Sequence, residues 1–218
     1  TAVIISLLTT LLMAFNNDII IFIVIRFLAG VSSAFVLIFG TALILPSIQA
    51  FGKKSLSTSH FMGVGFGIVF SSILISILGS FGFIWNELWV GVFILSLILA
   101  IPIFIYTPNE IILSAPNKIS KSTSTFGFSL ITVSYGLYGF GYVILGTFIS
   151  AMARETTGLE TTEFYVWFLV GLTGIPMVIF WPWFGKKIGN DLALFLACLI
   201  MGIGIFMPVI YENNFGII

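Results

Sequence analysis

Long apolar runs separated by short polar breaks constrain the fold of this sequence more than any other feature. A helix needs about 20 apolar residues to cross the roughly 30 Å hydrocarbon core of a bilayer, and we count seven runs of comparable length. They extend over Thr1 to Phe15, Ile19 to Leu45, His60 to Leu78, Leu88 to Tyr106, Phe126 to Ala153, Phe164 to Phe184 and Leu192 to Ile210. The pattern predicts a polytopic transmembrane helical bundle of the all-α class.

The composition agrees with a chain that is solvated by lipid. Only 7% of the residues are charged and 59% are hydrophobic, whereas soluble domains carry about 25% charged residues. A transmembrane β-barrel is excluded because its strands alternate in hydrophobicity over about 10 residues, and these continuous runs do not alternate.

The two ends of the sequence indicate a piece of a longer protein. The first run lacks an initiating Met and is short for a span, so we expect the chain to begin inside a helix. Residues 211–218 pass from a polar break into a new apolar stretch. We therefore expect truncation at both ends.

Lysine pairs predict the orientation of the helices. Cytoplasmic loops of membrane proteins are enriched in Lys and Arg. Every second break carries two lysines, which are Lys53 and Lys54, Lys118 and Lys121, and Lys186 and Lys187, and the intervening breaks hold none. We expect the lysine-bearing breaks to be cytoplasmic in a multi-pass protein of the cell membrane, with a bacterial cytoplasmic membrane as the expected location.

The longest lysine-bearing break divides the sequence into two helical groups. Residues 107–125 are rich in Ser, Thr, Asn and Pro, a composition typical of a flexible connector. We expect residues 1–106 to form one group of four helices and residues 126–218 to form a second group of three.

Arg26 is the most informative polar residue because it lies about seven residues into its run. An ionisable side chain at that depth is costly unless it faces protein or water. At about 100° per residue, one less apolar stripe of the helix holds Arg26, Gly30, Ser33, Gly40 and Thr41. The stripe predicts a cavity-lining helix whose arginine binds substrate or a coupling carboxylate. The alternative is an arginine that snorkels to the outer interface, about 10 Å away.

Three tyrosines share one face of the fifth run. The face consists of Tyr135, Tyr138 and Tyr142, with Gly139, Gly146 and Ser150. Hydroxyls inside hydrocarbon need hydrogen-bond partners. The pattern therefore predicts either the lining of a wet cavity or hydrogen bonding between helices.

Two sets of small residues predict close helix packing. The set in the third run consists of Gly63, Gly67 and Ser71. The set in the sixth run consists of Gly171, Gly174 and Pro176. Because proline removes a helical hydrogen bond, the second set also predicts a kink.

The single histidine, His60, starts the third run at its predicted cytoplasmic end. Histidine is the side chain that ordinarily changes charge near neutral pH, so one hypothesis is that His60 belongs to a proton path. The alternative is a histidine that only caps or solvates the helix end.

These motifs together resemble the major facilitator superfamily of secondary transporters. Arg26–Ala34 is similar to that family's fourth-helix motif, an Arg followed four residues later by Gly and eight later by a small residue. The glycine ridge from Gly63 resembles its fifth-helix motif. Pro182–Gly189 looks like the cytoplasmic loop between helices eight and nine, although Lys186 stands where an acidic residue is usual. No gating salt bridge is inferred at that loop.

Within the superfamily, His60–Gly67 and Tyr135–Glu155 resemble the YbfB-like subfamily. The resemblance implies that the seven runs are helices three to nine of twelve, and that residues 107–125 connect two six-helix halves. In the family, helices one, four, seven and ten line the central cavity. The Arg26 helix and the tyrosine helix would be two of these four.

The resulting functional hypothesis is a secondary active transporter that moves a small organic solute by alternating access. Its expected partners are the solute, the lipid bilayer and protons, with no nucleic acid, and proton coupling is implied by the resemblance alone. No Walker A glycine loop occurs, so nothing in the sequence supports ATP as the driver. A noncatalytic membrane scaffold or sensor is the alternative hypothesis.

An intramembrane enzyme is disfavoured. It would need paired carboxylates, a zinc-binding helix, or a nucleophile with a histidine inside the bilayer. His60 is at a helix end, and no acidic residue lies at mid-depth in any run. The one cysteine, Cys198, allows no disulfide or thiolate metal site within the chain. We predict no catalytic residue, metal site or cofactor.

Overall fold

The protein is helical over most of the residues that its structure, a computed structural model, describes: 1–50, 57–106, 125–155 and 163–210. We number the α-helices of these segments in chain order. They are α1 (Ala2–Met13), α2 (Ile19–Ala50), α3 (Met62–Ser80), α4 (Trp85–Tyr106), α5 (Thr125–Glu155), α6 (Glu163–Ile188) and α7 (Asn190–Ile210), with a 3-10 turn at Ser59–Phe61 before α3. No strand occurs among the described residues, and the all-α prediction is confirmed.

Six stretches of helix are long and apolar enough to cross a bilayer. They are Ile19–Pro46, Ser59–Ser80, Trp85–Tyr106, Thr132–Glu155, Phe164–Ile188 and Asn190–Met207. The remaining helix, α1, is also apolar but has 12 residues, which rise only about 18 Å. The chain is therefore a multi-pass membrane protein, as the apolar runs predict.

The start of α4 lies at Trp85, before the predicted start at Leu88. A carboxylate oxygen of Glu87 accepts a hydrogen bond from the backbone N–H of Ile84 at 2.8 Å. This bond ties the residue before the helix to its first turn, in the manner of a capping box. The predicted start is too late because an acidic residue looks like a loop residue in sequence but is also favourable in a first helical turn.

The predicted end of the sixth helix at Phe184 is too early, because α6 remains helical through Ile188 and includes most of the Pro182–Gly189 motif. Lys186 and Lys187 lie in the last turn of α6 and not in a loop. Their positive charges are favourable there because the carboxyl end of a helix carries partial negative charge. Gly189 alone separates α6 from α7.

The chain divides into two compact units, Thr1–Ile112 (unit 1) and Leu113–Ile218 (unit 2). In unit 1, α1 packs against α2 and α4, and α3 packs against α4. In unit 2, α6 packs against both α5 and α7. Several predicted features lie outside the described residues, namely the connector over 107–124 and the lysines Lys53, Lys54, Lys118 and Lys121.

Buried hydroxyl groups in unit 1 are satisfied within their own helices. Oγ1 of Thr9 donates to the carbonyl of Ser6 at 2.9 Å, and Oγ of Ser32 donates to the carbonyl of Ala29 at 3.0 Å. A polar group in hydrocarbon has no water to bond with. These local bonds allow α1 and α2 to bury Thr9 and Ser32 without a partner from another helix.

The turn between α6 and α7 depends on glycine. A Cβ atom added to Gly185 would lie 2.8 Å from Oδ1 of Asn190 and 3.6 Å from the Cβ of Ala193, which is buried. Gly189 has a φ of +93°, a conformation that side chains with a Cβ rarely adopt. The absence of a Cβ at Gly185 and Gly189 lets α7 turn back directly onto α6.

Gly189→Ala should therefore lower the free energy of unfolding by about 1–2 kcal/mol, because a Cβ at positive φ is strained. Thermal unfolding of the protein in detergent, followed by far-UV circular dichroism, measures the effect as a lower Tm. Gly202→Ala is the matched control, since a Cβ at Gly202 meets no described atom within 4 Å and alanine favours helix. Equal Tm values for the two variants would contradict the strain at Gly189.

Candidate functional site

The guanidinium of Arg26 contacts two aromatic rings. Its Cζ atom is 5.4 Å from the ring centroid of Phe22, one turn earlier in α2. The same atom is 5.1 Å from the ring centroid of Trp89, one turn into α4. Both distances are within the roughly 6 Å range of cation–π attraction. The two rings stabilise the cation and attach the Arg26 side chain to a second helix of unit 1.

Arg26 keeps its hydrogen-bonding capacity in this position. The residue is exposed, and no hydrogen bond or ion pair joins its guanidinium to another residue in the described segments. A guanidinium carries five N–H donors in a planar fork that matches a carboxylate or a phosphate. The arrangement can bind an anionic group at the depth of Arg26.

The neighbouring residues of the Arg26 stripe are also uncovered within unit 1. Gly30 and Ser33 are exposed, and a Cβ added to Gly30 would meet no described atom within 4 Å. Ile25 and Ser32, on the adjacent face of α2, are buried. Unit 1 therefore packs α2 through the face of Ile25 and Ser32 and leaves the predicted cavity face open.

Thr41 and His60, which belong to separate hypotheses in the sequence, contact each other. Oγ1 of Thr41 is 3.1 Å from Nε2 of His60 and 2.8 Å from the carbonyl oxygen of Leu37. Nδ1 of His60 is 3.0 Å from the carbonyl oxygen of Ser57. These contacts join the far end of the Arg26 stripe to the 3-10 turn that precedes α3.

The three predicted tyrosines are exposed within unit 2, with exposed fractions of 78% for Tyr135, 42% for Tyr138 and 45% for Tyr142. The rings of Tyr135 and Tyr138 stack with their centroids 6.5 Å apart. Across the described segments, none of the three hydroxyls makes a hydrogen bond. Within unit 2, the three phenols form an open polar surface of α5.

Further along α5, the tyrosine face becomes a packing surface. A Cβ added to Gly146 would lie 3.3 Å from Cη2 of Trp167 in α6. Oγ of Ser150, one turn later, is buried and has no hydrogen-bond partner among the described residues. The missing side chain of Gly146 leaves room for the indole of Trp167, so this end of the face holds α5 against α6.

The predicted packing ridge on α3 is open within unit 1. A Cβ added to Gly63 or Gly67 would meet no described atom within 4 Å. Ser71 donates its hydroxyl to the carbonyl of Ile68 in its own helix at 3.0 Å. No helix described in unit 1 therefore packs closely on the Gly63 and Gly67 positions.

The residues of the predicted packing set on α6 differ in how closely other residues pack on them. Gly171 is buried, whereas a Cβ added to Gly174 would meet no described atom within 4 Å. Pro176 lies inside α6 and does not end the helix.

Other described glycines, which sequence reasoning does not single out as packing positions, lie where a neighbouring helix comes close. A Cβ added to Gly91 in α4 would lie 2.5 Å from Cδ1 of Leu78 in α3. The corresponding distances are 2.8 Å from Gly185 to Oδ1 of Asn190 in α7 and 3.3 Å from Gly146 to Cη2 of Trp167 in α6. A single glycine within an apolar run is the only sequence signal for such a contact, and it is a weak one.

A cavity of about 530 Å³ lies in unit 1 where α1 and α3 end and α4 begins. Its lining is mostly apolar, and Asn86 and Glu87 contribute polar atoms. None of the predicted site residues lines it. The cavity suits an apolar group better than an ionic solute. In the described segments, no cluster of three or more His, Cys, Asp or Glu side chains is arranged to hold a metal ion.

The contact of Arg26 with Trp89 predicts energetic coupling between the two residues. A double-mutant cycle with Arg26→Met and Trp89→Leu, measured by equilibrium unfolding in mixed micelles, should give a coupling energy of about 0.5–1 kcal/mol. Trp85→Leu supplies the control cycle, because Trp85 is one turn away in α4 and makes no ring contact with Arg26 in the described structure. A coupling energy no larger than that of the control cycle would rule out the interaction.

A family model matches the whole chain, residues 1–218, and its description is "Uncharacterised MFS-type transporter YbfB". No curated protein and no solved structure matches. The family match confirms the resemblance drawn from the Arg26, Gly63 and Tyr135 motifs, and it agrees with the six apolar spans. The chain belongs to the YbfB-type family of major facilitator transporters and is a membrane transporter.

Proposed function

We propose that the protein is a secondary active transporter that moves a small organic solute across a bacterial cytoplasmic membrane by alternating access, coupled to protons. The observation that carries this proposal is the Arg26 guanidinium. It contacts the rings of Phe22 and Trp89, and its N–H groups are unbonded to any described residue. A cation inside a membrane span whose N–H groups are unbonded is suited to an anionic ligand.

The cost of placing Arg26 in the membrane supports a functional role. An arginine costs about 2.5–3.5 kcal/mol at the centre of a span and less at the position of Arg26, which lies nearer the start of the Ile19–Pro46 span. The aromatic contacts offset about 0.5–1 kcal/mol of such a cost. An arginine that only reached back to the interface would need no aromatic partner on another helix. We infer that Trp89 holds the guanidinium for an acidic group, either on the solute or in the coupling machinery.

The tyrosine face of α5 is a separate candidate surface for a solute, within unit 2. Three phenolic hydroxyls on one face, exposed within unit 2 and unbonded to described residues, would be costly against lipid. They can bond to water or to polar groups of a solute if the face lines a wet pathway.

The proposed mechanism also uses the two-part organisation of the chain. We propose that residues 1–106 and 126–218 belong to the two halves of the transporter, with 107–125 as a cytoplasmic connector. The lysine pairs support this orientation through the enrichment of Lys in cytoplasmic segments. His60 is the candidate for the proton path.

Arg26→Ala in the complete protein should reduce solute uptake by about two orders of magnitude, because a bidentate charged contact is lost. Insertion into the membrane should be unaffected. Arg26→Lys should recover only part of the activity, since an ammonium keeps the charge but not the planar fork. Uptake into proteoliposomes and the amount of inserted protein measure both effects.

Val24→Ala is the control for the Arg26 variants, because Val24 lies at similar depth and two residues away, on nearly the opposite side of α2. It should leave uptake within about twofold of the wild type. Wild-type uptake by Arg26→Ala would remove Arg26 from the pathway.

The transport proposal is tested by screening organic acids, amino acids and other small polar solutes in proteoliposomes, with and without an imposed pH gradient. Uptake that depends on the gradient is the expected result. Absence of flux across the panel in both gradient directions, with folded protein, would overturn the transport proposal and favour a scaffold or sensor.

A further inference from the structure

The hydrogen-bond partners of His60 determine which of its nitrogens carry protons. Nδ1 is 3.0 Å from the carbonyl oxygen of Ser57, and a carbonyl can only accept a hydrogen bond. Nδ1 must therefore be protonated and donate. The charge of the ring then depends on Nε2 alone, which faces Oγ1 of Thr41 at 3.1 Å.

The hydroxyl of Thr41 has one proton and two neighbouring acceptor positions. It lies 2.8 Å from the carbonyl oxygen of Leu37 as well as 3.1 Å from Nε2 of His60. If the ring is neutral, Nε2 is an acceptor, so Thr41 donates to Nε2 and leaves Leu37 without that bond. If the ring is charged, Nε2–H donates to Oγ1 and the hydroxyl proton remains with Leu37. All three contacts are hydrogen bonds at once only when His60 is an imidazolium.

We propose that His60 is the proton-binding site of the transporter and that Thr41 is the residue through which α2 responds to the proton. The inference rests on the proposed proton-coupled transport and names the residues that carry the coupling. Protonation reverses the direction of the Thr41–His60 hydrogen bond and makes it charge-assisted, which is about twice as strong as a neutral one. The carboxyl-terminal part of α2 is then held more firmly to the 3-10 turn before α3.

The surroundings of His60 favour this role. The imidazole lies 3.9 Å, centroid to centroid, from the ring of Phe61, and an aromatic face attracts a cation at that range. His60 is half-buried at the start of the Ser59–Ser80 span, so a proton can reach the ring from the aqueous edge of the membrane.

Few charged groups compete with the proton in the described structure. The 3-10 turn contacts α2 through Thr41 and packs against α3. The described residues of α2 and α3 include one charged or titratable side chain, Arg26. Arg26 is fifteen residues from Thr41, or about 22 Å along the helix axis. Lys53 and Lys54 lie outside the described residues.

The protonation state is measured by nitrogen NMR on protein labelled with ¹⁵N-histidine in nanodiscs, without any solute. His60→Gln identifies the signal of His60, since that signal alone disappears. We expect Nδ1 to keep its proton in both charge states of the ring and Nε2 to be the nitrogen that gains and loses a proton as the pH is changed. A neutral ring protonated on Nε2, or a ring whose charge does not change with pH, would overturn the proposal.

Thr41→Val and Thr41→Ser separate the hydrogen bond from the shape of the side chain. Valine has nearly the shape of threonine but cannot accept from Nε2–H, so the proton affinity of His60 should fall about tenfold and the NMR midpoint by about one pH unit. Serine keeps the hydroxyl and should keep the midpoint. An unchanged midpoint in Thr41→Val would overturn the role of Thr41.

Proteoliposome uptake then distinguishes this inference from the proposed function. If the transporter moves a solute, the pH dependence of its uptake should shift by the same one unit in Thr41→Val and be lost in His60→Gln, whereas solute moving down its own gradient continues. Unchanged pH dependence in both variants would overturn the coupling role. Absence of all flux, with the NMR change present, would overturn the proposed transport and leave the proton-binding site established.

Discussion

Lipid offers no hydrogen-bond partner to a polar group, and this constraint governs every polar residue in the spans. Backbone N–H and carbonyl groups are satisfied by forming helices, and hydroxyls such as those of Thr9 and Ser32 bond to carbonyls of the preceding turn. A guanidinium or a phenol has its polar atoms far from its own backbone, and the imidazole of His60 bonds to the local backbone through Nδ1 alone, which leaves Nε2 for Thr41. Arg26, His60 and the three tyrosines are therefore the residues on which a solute or proton pathway can be built.

The same constraint explains which features sequence reasoning predicts. Apolar length predicts the spans because the bilayer sets one thickness for all of them. Helical periodicity predicts the open face of Arg26, Gly30 and Ser33 because residues on one face of a helix follow from local geometry alone. The burial of Ile25 and Ser32 on the adjacent face of α2 agrees with that separation of faces.

Helical periodicity does not predict contacts between helices, because it carries no information on which helix is the neighbour. Trp89 is 63 residues after Arg26 and His60 is 19 after Thr41, so neither pair is visible as a motif. The close approach at Gly91 is missed for the same reason, whereas the regular spacing of Gly63 and Gly67 draws attention to a ridge that is open within unit 1. The end of α6 is missed for a local reason, since two lysines are equally favourable in a cytoplasmic loop and in the last turn of a helix.

The position of Arg26 and Thr41 on one stripe suggests how solute and proton would communicate. A helix is stiff, so α2 transmits a displacement over the roughly 22 Å between them. Near its start, α2 is attached to α4 by the contact of Arg26 with Trp89, and further along it is attached to the turn before α3 by Thr41 and His60. An anionic solute would bind the N–H groups that the first attachment leaves free, while a proton on His60 would strengthen the second attachment. Two ligands influence each other when each prefers the same arrangement of a shared element. The contacts of Arg26 and Thr41 make α2 that shared element. The solute would act where α2 contacts α4, and the proton would act where α2 contacts the turn before α3.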